Sequence, residues 1–346
     1  MKMTKVLFID NGIEFDSVLF REKALGGAEV AFVSLVEELA KLNLEVVVYN
    51  NCRNQGLIKN VKWKKLNEKI FDENFDVLVV NRGDKFLNFK KDCKKRFFWI
   101  HNPAKYLLKF RYLSKLFLNK FNIIFSSEYH KSTYPFWAPS AKRIVIPYGI
   151  DDKILKKRKK KVPNPVAIFT SNPLRDLDWL LENWKLRIYP KVQNAKLNLF
   201  TGITTYGQFG KKHSKSSEKI LNKADSLKDY GVNLYKPLRR EELFKKINES
   251  RIFLYKGTKD ETFCMAAAEA QALGIPAVVC DFGSMKERIL DNKTGFVCKS
   301  DEQFNLKAIK LLNDNKIWMK MHKNLLKNDN HFRWSEIAKK WKKIIN

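Results

Sequence analysis

Short apolar runs alternate with stretches of three-to-four apolar spacing along this chain, and that rhythm limits the folds open to it more than any other feature. In the first half the runs are Val6 to Ile9, Val46 to Tyr49, Val77 to Val80, Phe97 to Ile100, Ile123 to Phe125 and Ile144 to Ile146. Runs of strand length separated by helical patterns are the mark of βαβ units around a parallel sheet. Between the first two, Val30, Phe32, Val33, Val36, Leu39 and Ala40 recur at helical spacing while Glu37, Glu38 and Lys41 turn outward. That stretch, residues 28–42, is predicted to be a helix covering one face of the sheet.

The rhythm stops at Pro147-Tyr148-Gly149 and then begins again. Residues 151–165 hold two prolines and seven cations between Lys153 and Lys161, a composition suited to an exposed hinge. Beyond it, runs at Ala167 to Phe169, Leu197 to Phe200, Val232 to Tyr235, Ile252 to Tyr255 and Ala277 to Cys280 alternate with helical stretches at 179–188, 241–248 and 265–273. At 346 residues the chain exceeds the usual size of one hydrophobic core. The expected fold class is α/β, with one Rossmann-like domain over residues 1–150, a basic hinge over 151–165 and a second Rossmann-like domain over 166–330. Trp334, Ile337, Trp341 and Ile344 share one stripe of a last amphipathic helix, about 331–346, which is predicted to return to the first domain.

An apolar fraction of 45% with 13% aromatic residues places the chain among globular proteins and excludes intrinsic disorder. No run approaches the roughly 18 uncharged apolar residues of a membrane-spanning helix, and Val6 to Ile9 is too short for the core of a secretory signal. Cys52, Cys93, Cys264, Cys280 and Cys298 show no Cys-x-x-Cys spacing, which argues against a disulfide framework or a zinc site and suits the cytoplasm. With 67 basic and 37 acidic residues the net charge is +30. Such a field attracts polyanions, whether nucleic acid, anionic lipid or a phosphorylated substrate, although lysine-rich solvated surfaces alone would give the same total.

Residues 260–276, Asp-Glu-Thr-Phe-Cys-Met-Ala-Ala-Ala-Glu-Ala-Gln-Ala-Leu-Gly-Ile-Pro, carry the sharpest chemical signal. They follow the run Ile252 to Tyr255, and in open α/β sheets ligands sit beyond the carboxyl ends of the strands. A helix is predicted to begin near Phe263 or Cys264, with its backbone N–H groups and positive dipole end suited to a diphosphate. Glu261 then stands before the helix and Glu269 inside it. Two acceptor-only carboxylates beside an anion site suit hydroxyl-rich groups such as ribose and sugar. The plainer alternative is a first-turn acid favouring the dipole and a second acid on a solvated face.

The spacing from Glu261 to Glu269, followed by Ala-Leu-Gly-Ile-Pro, resembles the signature of the retaining family 4 glycosyltransferases of GT-B fold, the glycosyl transferases group 1. The resemblance extends over nearly the whole chain. Gly26-Gly27-Ala28-Glu29 is similar to the family's glycine loop, and Trp99 to Pro103, with His101, to its histidine-bearing strand end. Ile146 to Asp151 resembles its hinge, and Phe282-Gly283-Ser284 with Glu287 and Gly295 its distal segment.

The resemblance implies two Rossmann-like domains facing across a deep cleft and transfer of a sugar from a nucleotide-diphosphate donor to a glycan or lipid-linked acceptor, with retention of configuration. By position Glu261 takes the donor sugar, Glu269 the ribose, Arg175 the diphosphate, and the backbone at Phe263, Cys264 and Met265 lines sugar and phosphate. His101 becomes a sugar- or acceptor-facing group, and Gly26 and Gly27 let diphosphate or acceptor approach bare backbone. The nucleotide sugar is then a substrate, and no cofactor, metal or protein nucleophile is expected. Departures from the pattern are Thr262 and Cys264 where glycines are usual, Tyr148 in place of the hinge asparagine, and a lone Arg175 for an Arg-then-Lys pair.

Residues 104–121 interleave lysine and arginine with Tyr106, Phe110, Tyr112 and Phe117 directly after His101. As a helix this stretch suits an anionic membrane interface, and with it a lipid-linked or surface-polysaccharide acceptor; the plainer reading is a helix packed on its own sheet. The expected setting is cell-surface polysaccharide or lipopolysaccharide synthesis, in the cytoplasm and peripherally on the inner face of the cell membrane. The rivals are a same-fold nucleotide-sugar epimerase and a basic nucleic-acid-binding protein, the latter without a recognised motif and not expected as a partner class.

Overall fold

The computed structural model describes residues 3–89, 92–155, 161–203, 212–327 and 332–346. The chain divides into two compact units, residues 1–149 with 332–346, and residues 150–331.

The first unit is built on eight strands: β1 (Thr4–Asp10), β2 (Leu44–Asn50), β3 (Gly56–Ile58), β4 (Val61–Lys65), β5 (Val77–Asn81), β6 (Lys95–Trp99), β7 (Asn122–Phe125) and β8 (Arg143–Val145). Their order is β3-β4-β2-β1-β5-β6-β7-β8. Every pairing is parallel except the β3–β4 hairpin, so each of the six apolar runs became part of a parallel strand. Central strands covered on both faces need continuous apolar sequence, which is why they were legible. Strand β4, next to the edge strand β3, buries Val61 and Trp63 and exposes Lys62, so its period-two signal is weaker than an unbroken apolar run.

The helix Gly27–Ala40 lies on one face and buries Val30, Phe32, Val33, Val36 and Leu39. Beside it packs the last helix, Trp334–Ile345, whose Trp341 ring lies 6.4 Å from Phe8, 6.0 Å from Phe97 and 5.3 Å from Trp99. Gly149 permits this docking, because a β-carbon there would meet the Trp334 backbone at 2.6 Å.

Residues 104–121 are not one helix. A 3₁₀ turn over Ala104–Leu108 is followed by an extended Lys109 and a separate helix, Phe110–Asn119. Leu107, Tyr112 and Leu116 turn into the core, while Phe110, Phe117 and Leu118 point into solvent. Among the described residues no helix is long and apolar enough to cross a membrane.

The second unit has six parallel strands: β9 (Val166–Phe169), β10 (Lys196–Phe200), β11 (Val232–Tyr235), β12 (Ile252–Tyr255), β13 (Ala277–Cys280) and β14 (Gly295–Cys298), in the order β11-β10-β9-β12-β13-β14. Strand β14 escaped the sequence pattern because it opens on a glycine, which close packing demands: a β-carbon at Gly295 would meet the Ala277 carbonyl oxygen at 2.2 Å. Within the segment expected as an exposed hinge, Asp152–Leu155 makes a helical turn that buries Ile154 in this unit. Lys156, Lys157, Arg158, Lys159 and Lys160, five of the seven hinge cations, lie outside the described residues.

Candidate functional site

Strand β12 delivers Tyr255 to the carboxyl edge of the second sheet, and the chain returns as the helix Met265–Ala272. The helix begins one to two residues later than predicted. Cys264 caps it in the left-handed conformation, with φ at +62°, at a position where the resemblance calls for glycine. Its first backbone bond runs from the Ala268 N–H to the Cys264 carbonyl, 3.1 Å, so the N–H groups of Met265 and Ala266 point out of the helix end. Met265 is itself buried, as is Phe263.

Glu261 holds this turn together. One carboxylate oxygen accepts from the Cys264 N–H at 3.0 Å and the other from the Tyr255 hydroxyl at 2.6 Å. Its carbonyl accepts from the Ser284 N–H at 2.9 Å, across Gly283, where φ is +57° and a β-carbon would meet that carbonyl oxygen at 2.3 Å. Burial, reinforced by the Glu261 charge, pushes the Tyr255 hydroxyl and the Cys264 thiol well above their ordinary values, so both keep their protons. A buried, protonated Cys264 is packing and not a nucleophile.

Two arginines flank the helix start. Arg175 donates to the Thr258 hydroxyl at 2.8 Å; burial opposes its charge, yet Glu261 holds its pKa above the ordinary value. Arg288 lies 4.3 Å over the Phe263 ring, and burial lowers its pKa. Further along the helix, Glu269 is only 4% exposed and accepts from Arg240 at 2.6 Å. It is therefore not a solvated acid. Each carboxylate oxygen has lone pairs beyond those used here, so both glutamates are fixed acceptors able to take hydroxyl groups.

In the first unit, His101 stands just beyond β6, in a chain of side chains at the carboxyl edge of the sheet. Asp10 is fully buried, and its carboxylate accepts from the Gly12 N–H at 2.7 Å, Asn81 Nδ2 at 2.5 Å and Arg82 Nε at 2.9 Å. Because Asp10 only accepts, Asn81 turns its amide nitrogen to it and its oxygen to His101 Nε2, 2.7 Å away. Nε2 therefore carries the proton, and Nδ1 accepts from the Tyr148 hydroxyl at 2.5 Å. Burial, with the nearby Arg82 charge, holds His101 well below its ordinary pKa, so the imidazole is neutral.

Arg82 also reaches Glu29 at 2.7 Å, in the first turn of the helix that Gly26 caps. A continuous relay thus joins the Gly26-Gly27 turn to His101 through Glu29, Arg82, Asp10 and Asn81. Gly26 has an ordinary φ of −67°, so its backbone does not require glycine. The structure gathers Arg175, Glu261, Phe263, Cys264 and Met265 at one helix start, with Glu269 one turn on, and Gly26, Gly27 and His101 in the other unit. Sequence reading missed Asp10, Asn81, Arg82, Tyr255, Thr258, Arg240 and Arg288; the carboxyl-edge position of the first three, at the ends of β1 and β5, was the available signal.

Residues 175–330 match the family model of glycosyl transferases group 1. No curated protein matches the chain by sequence. Among solved structures, sucrose-phosphate synthase from Thermosynechococcus elongatus is similar at TM-score 0.73 and 14% identity over 99% of this chain and 98% of that one. HepE of Anabaena, solved with UDP and glucose, superposes at TM-score 0.76 and 12% identity over 99% of both chains. WaaG, a glycosyltransferase involved in lipopolysaccharide biosynthesis, superposes at TM-score 0.70 and 13% identity over 99% of both. At these identities the likeness is one of fold, and the fold is GT-B.

Proposed function

We propose that this chain is a glycosyltransferase that takes its sugar from a nucleoside-diphosphate donor bound at the Met265–Ala272 helix start, a reading supported by the match of residues 175–330 to the family model of glycosyl transferases group 1 and by the GT-B fold. The observation that carries this reading is one constellation in one unit: an outward helix N-terminus, Arg175 beside it, and two immobilised carboxylates, Glu261 and Glu269. Cation and helix end suit the diphosphate, whose negative charge grows as the bond to the sugar breaks. Glu261 accepts from sugar hydroxyls and Glu269 from the ribose, while the backbone at Phe263, Cys264 and Met265 lines the phosphates. In HepE the bound nucleotide is UDP, which makes a uridine donor the first to test.

Transfer with retention follows if the acceptor enters on the face the nucleotide leaves: the anomeric carbon–phosphate oxygen bond breaks, the bond to the acceptor oxygen forms, and the acceptor proton passes to the departing diphosphate. This course needs no metal and no protein nucleophile. His101, neutral and held by Asn81 and Tyr148, serves the sugar or acceptor as a fixed polar group, and the Gly26-Gly27 turn gives the acceptor bare backbone. We assign the acceptor to glycans or lipid-linked glycans of the cell surface, and the activity to the cytoplasm.

A thermal-shift panel of nucleoside diphosphates tests the reading, since a ligand that binds the folded state raises its melting temperature. One nucleotide should stabilise the protein selectively, and Arg175→Ala should weaken its binding by about tenfold or more. No shift with any nucleotide, or full affinity in the variant, overturns it. Incubation with nucleotide sugars then separates transfer from epimerisation, by sugar on an acceptor as against isomerised donor.

A further inference from the structure

Large apolar side chains left in water call for a partner when a fold displays them together. Phe110 is 83% exposed, and Phe117 and Leu118 follow at i+7 and i+8 on the outward face of the Phe110–Asn119 helix. A second display comes from residues 133–142, where Phe136 is 91% and Trp137 60% exposed. That loop is pinned: Arg143 donates to the carbonyls of Pro135, Phe136 and Ala138 at 2.7, 2.8 and 2.7 Å and lies over the Tyr134 ring. The Ala141 N–H donates to the Phe121 carbonyl at 2.8 Å, which ties the loop to the end of the helical segment where β7 and β8 begin side by side. The two displays therefore flank the same corner of the first unit.

Charge around them is mostly positive. Residues 104–145 contain eight lysines and arginines and a single acid, Glu128, which pairs with Lys131 at 3.1 Å, and Asp84 reaches in from outside the stretch to Lys115 at 2.9 Å and Arg111 at 3.9 Å. Elsewhere in the chain acids are far more frequent, so this corner is basic beyond the general excess.

We propose that this corner docks on an anionic lipid bilayer, with Phe110, Phe117, Leu118, Phe136 and Trp137 entering the headgroup layer and the surrounding cations meeting lipid phosphates. Apolar anchors among cations match a surface that is greasy beneath and negative on top. A nucleic acid would use the cations and leave five large apolar groups in water. A second copy of this chain would set the same positive field against itself. The proposal stands on this surface alone and is independent of the sugar-transfer reading.

Sedimentation of the full chain with vesicles is the test. The protein should partition onto mixed phosphatidylcholine and phosphatidylglycerol vesicles at physiological salt and onto pure phosphatidylcholine far more weakly. Phe110→Ser, Phe117→Ser and Trp137→Ser together should weaken the partition by about tenfold or more, as should the separate pair Phe117→Ser and Leu118→Ser, each with an unchanged circular dichroism spectrum. Wild-type protein left in the supernatant overturns the proposal, and so does a folded variant that partitions like wild type, since charge alone would then account for binding. Self-association of the wild type without vesicles, lost in the same variants, would give the surface to a second copy instead.

Discussion

Tyr148 donates its phenolic hydrogen to Nδ1 of His101 across 2.5 Å, and the bond fixes the imidazole proton on the opposite nitrogen, facing Asn81. Tyr148→Phe should remove this hydrogen bond and cost roughly 0.5–1.5 kcal/mol. Denaturant unfolding measures this, and an unchanged midpoint would show that the bond contributes nothing.

Acid should weaken the fold in two stages. His130 accepts from the Ser126 N–H at Nδ1 and donates from Nε2 to the Asn102 carbonyl, so it is neutral; burial lowers its pKa from 6.5 to about 4. His101 is lowered in the same direction, also chiefly by burial. The unfolded chain binds these protons first, so stability is full above pH 6.5 and falls as pH drops from there, by roughly 3 kcal/mol for His130 once pH reaches about 4. Glu73 acts lower: despite its burial, Lys5, Lys64 and Tyr49 bring it down from 4.5 to about 2, so its contribution is present above pH 4.5 and is lost on descent toward 2. Melting temperatures across pH should fall less steeply between 6.5 and 4 in His130→Gln, with the lower stage intact.

An acid on a solvated helix face, the plainer alternative for Glu269, would be removable without harm to the unliganded protein. The burial of Glu269 against Arg240 argues otherwise, because Glu269→Ala removes a buried charge-assisted hydrogen bond and should cost about 1.5–3 kcal/mol. Glu269→Gln keeps the shape and a hydrogen-bond acceptor, and should fold better while still losing most of the nucleotide-induced thermal shift. Equal melting temperatures for Glu269→Ala and wild type would contradict the buried pair.

Gly283→Ala should be among the most damaging small changes. It places a side chain at φ +57° with its β-carbon 2.3 Å from the Glu261 carbonyl oxygen. The left-handed backbone alone costs roughly 1–2 kcal/mol, and relief of the clash must move Glu261. Both stability and nucleotide binding should drop together in calorimetry; loss of one without the other would separate the loop from the site.

What the sequence made legible follows from how far apart the cooperating residues lie. Strands buried on both faces announced themselves as unbroken apolar runs, and the segment with Glu261 and Glu269 was visible because its parts are consecutive. Partners supplied by other elements were not: Arg240 meets Glu269 from 29 residues away, and Asn81 meets Asp10 across 71. Tyr148 stood out only as a departure from the hinge pattern, and its purpose appears once its hydroxyl is seen on His101. The break at Lys109 was hidden too, since the residues on either side of it, Ala104–Leu108 and Phe110–Asn119, carry apolar spacing that reads as one helix.

The late position of Trp341 has a consequence for biogenesis. Phe8, Phe97 and Trp99 leave the ribosome long before the indole that covers them, so the unit begun first is sealed last. Until the Trp334–Ile345 helix emerges, a nascent chain carries an open aromatic trough, and a chain truncated before Trp334 would hold a whole second sheet while its first still lacks a wall.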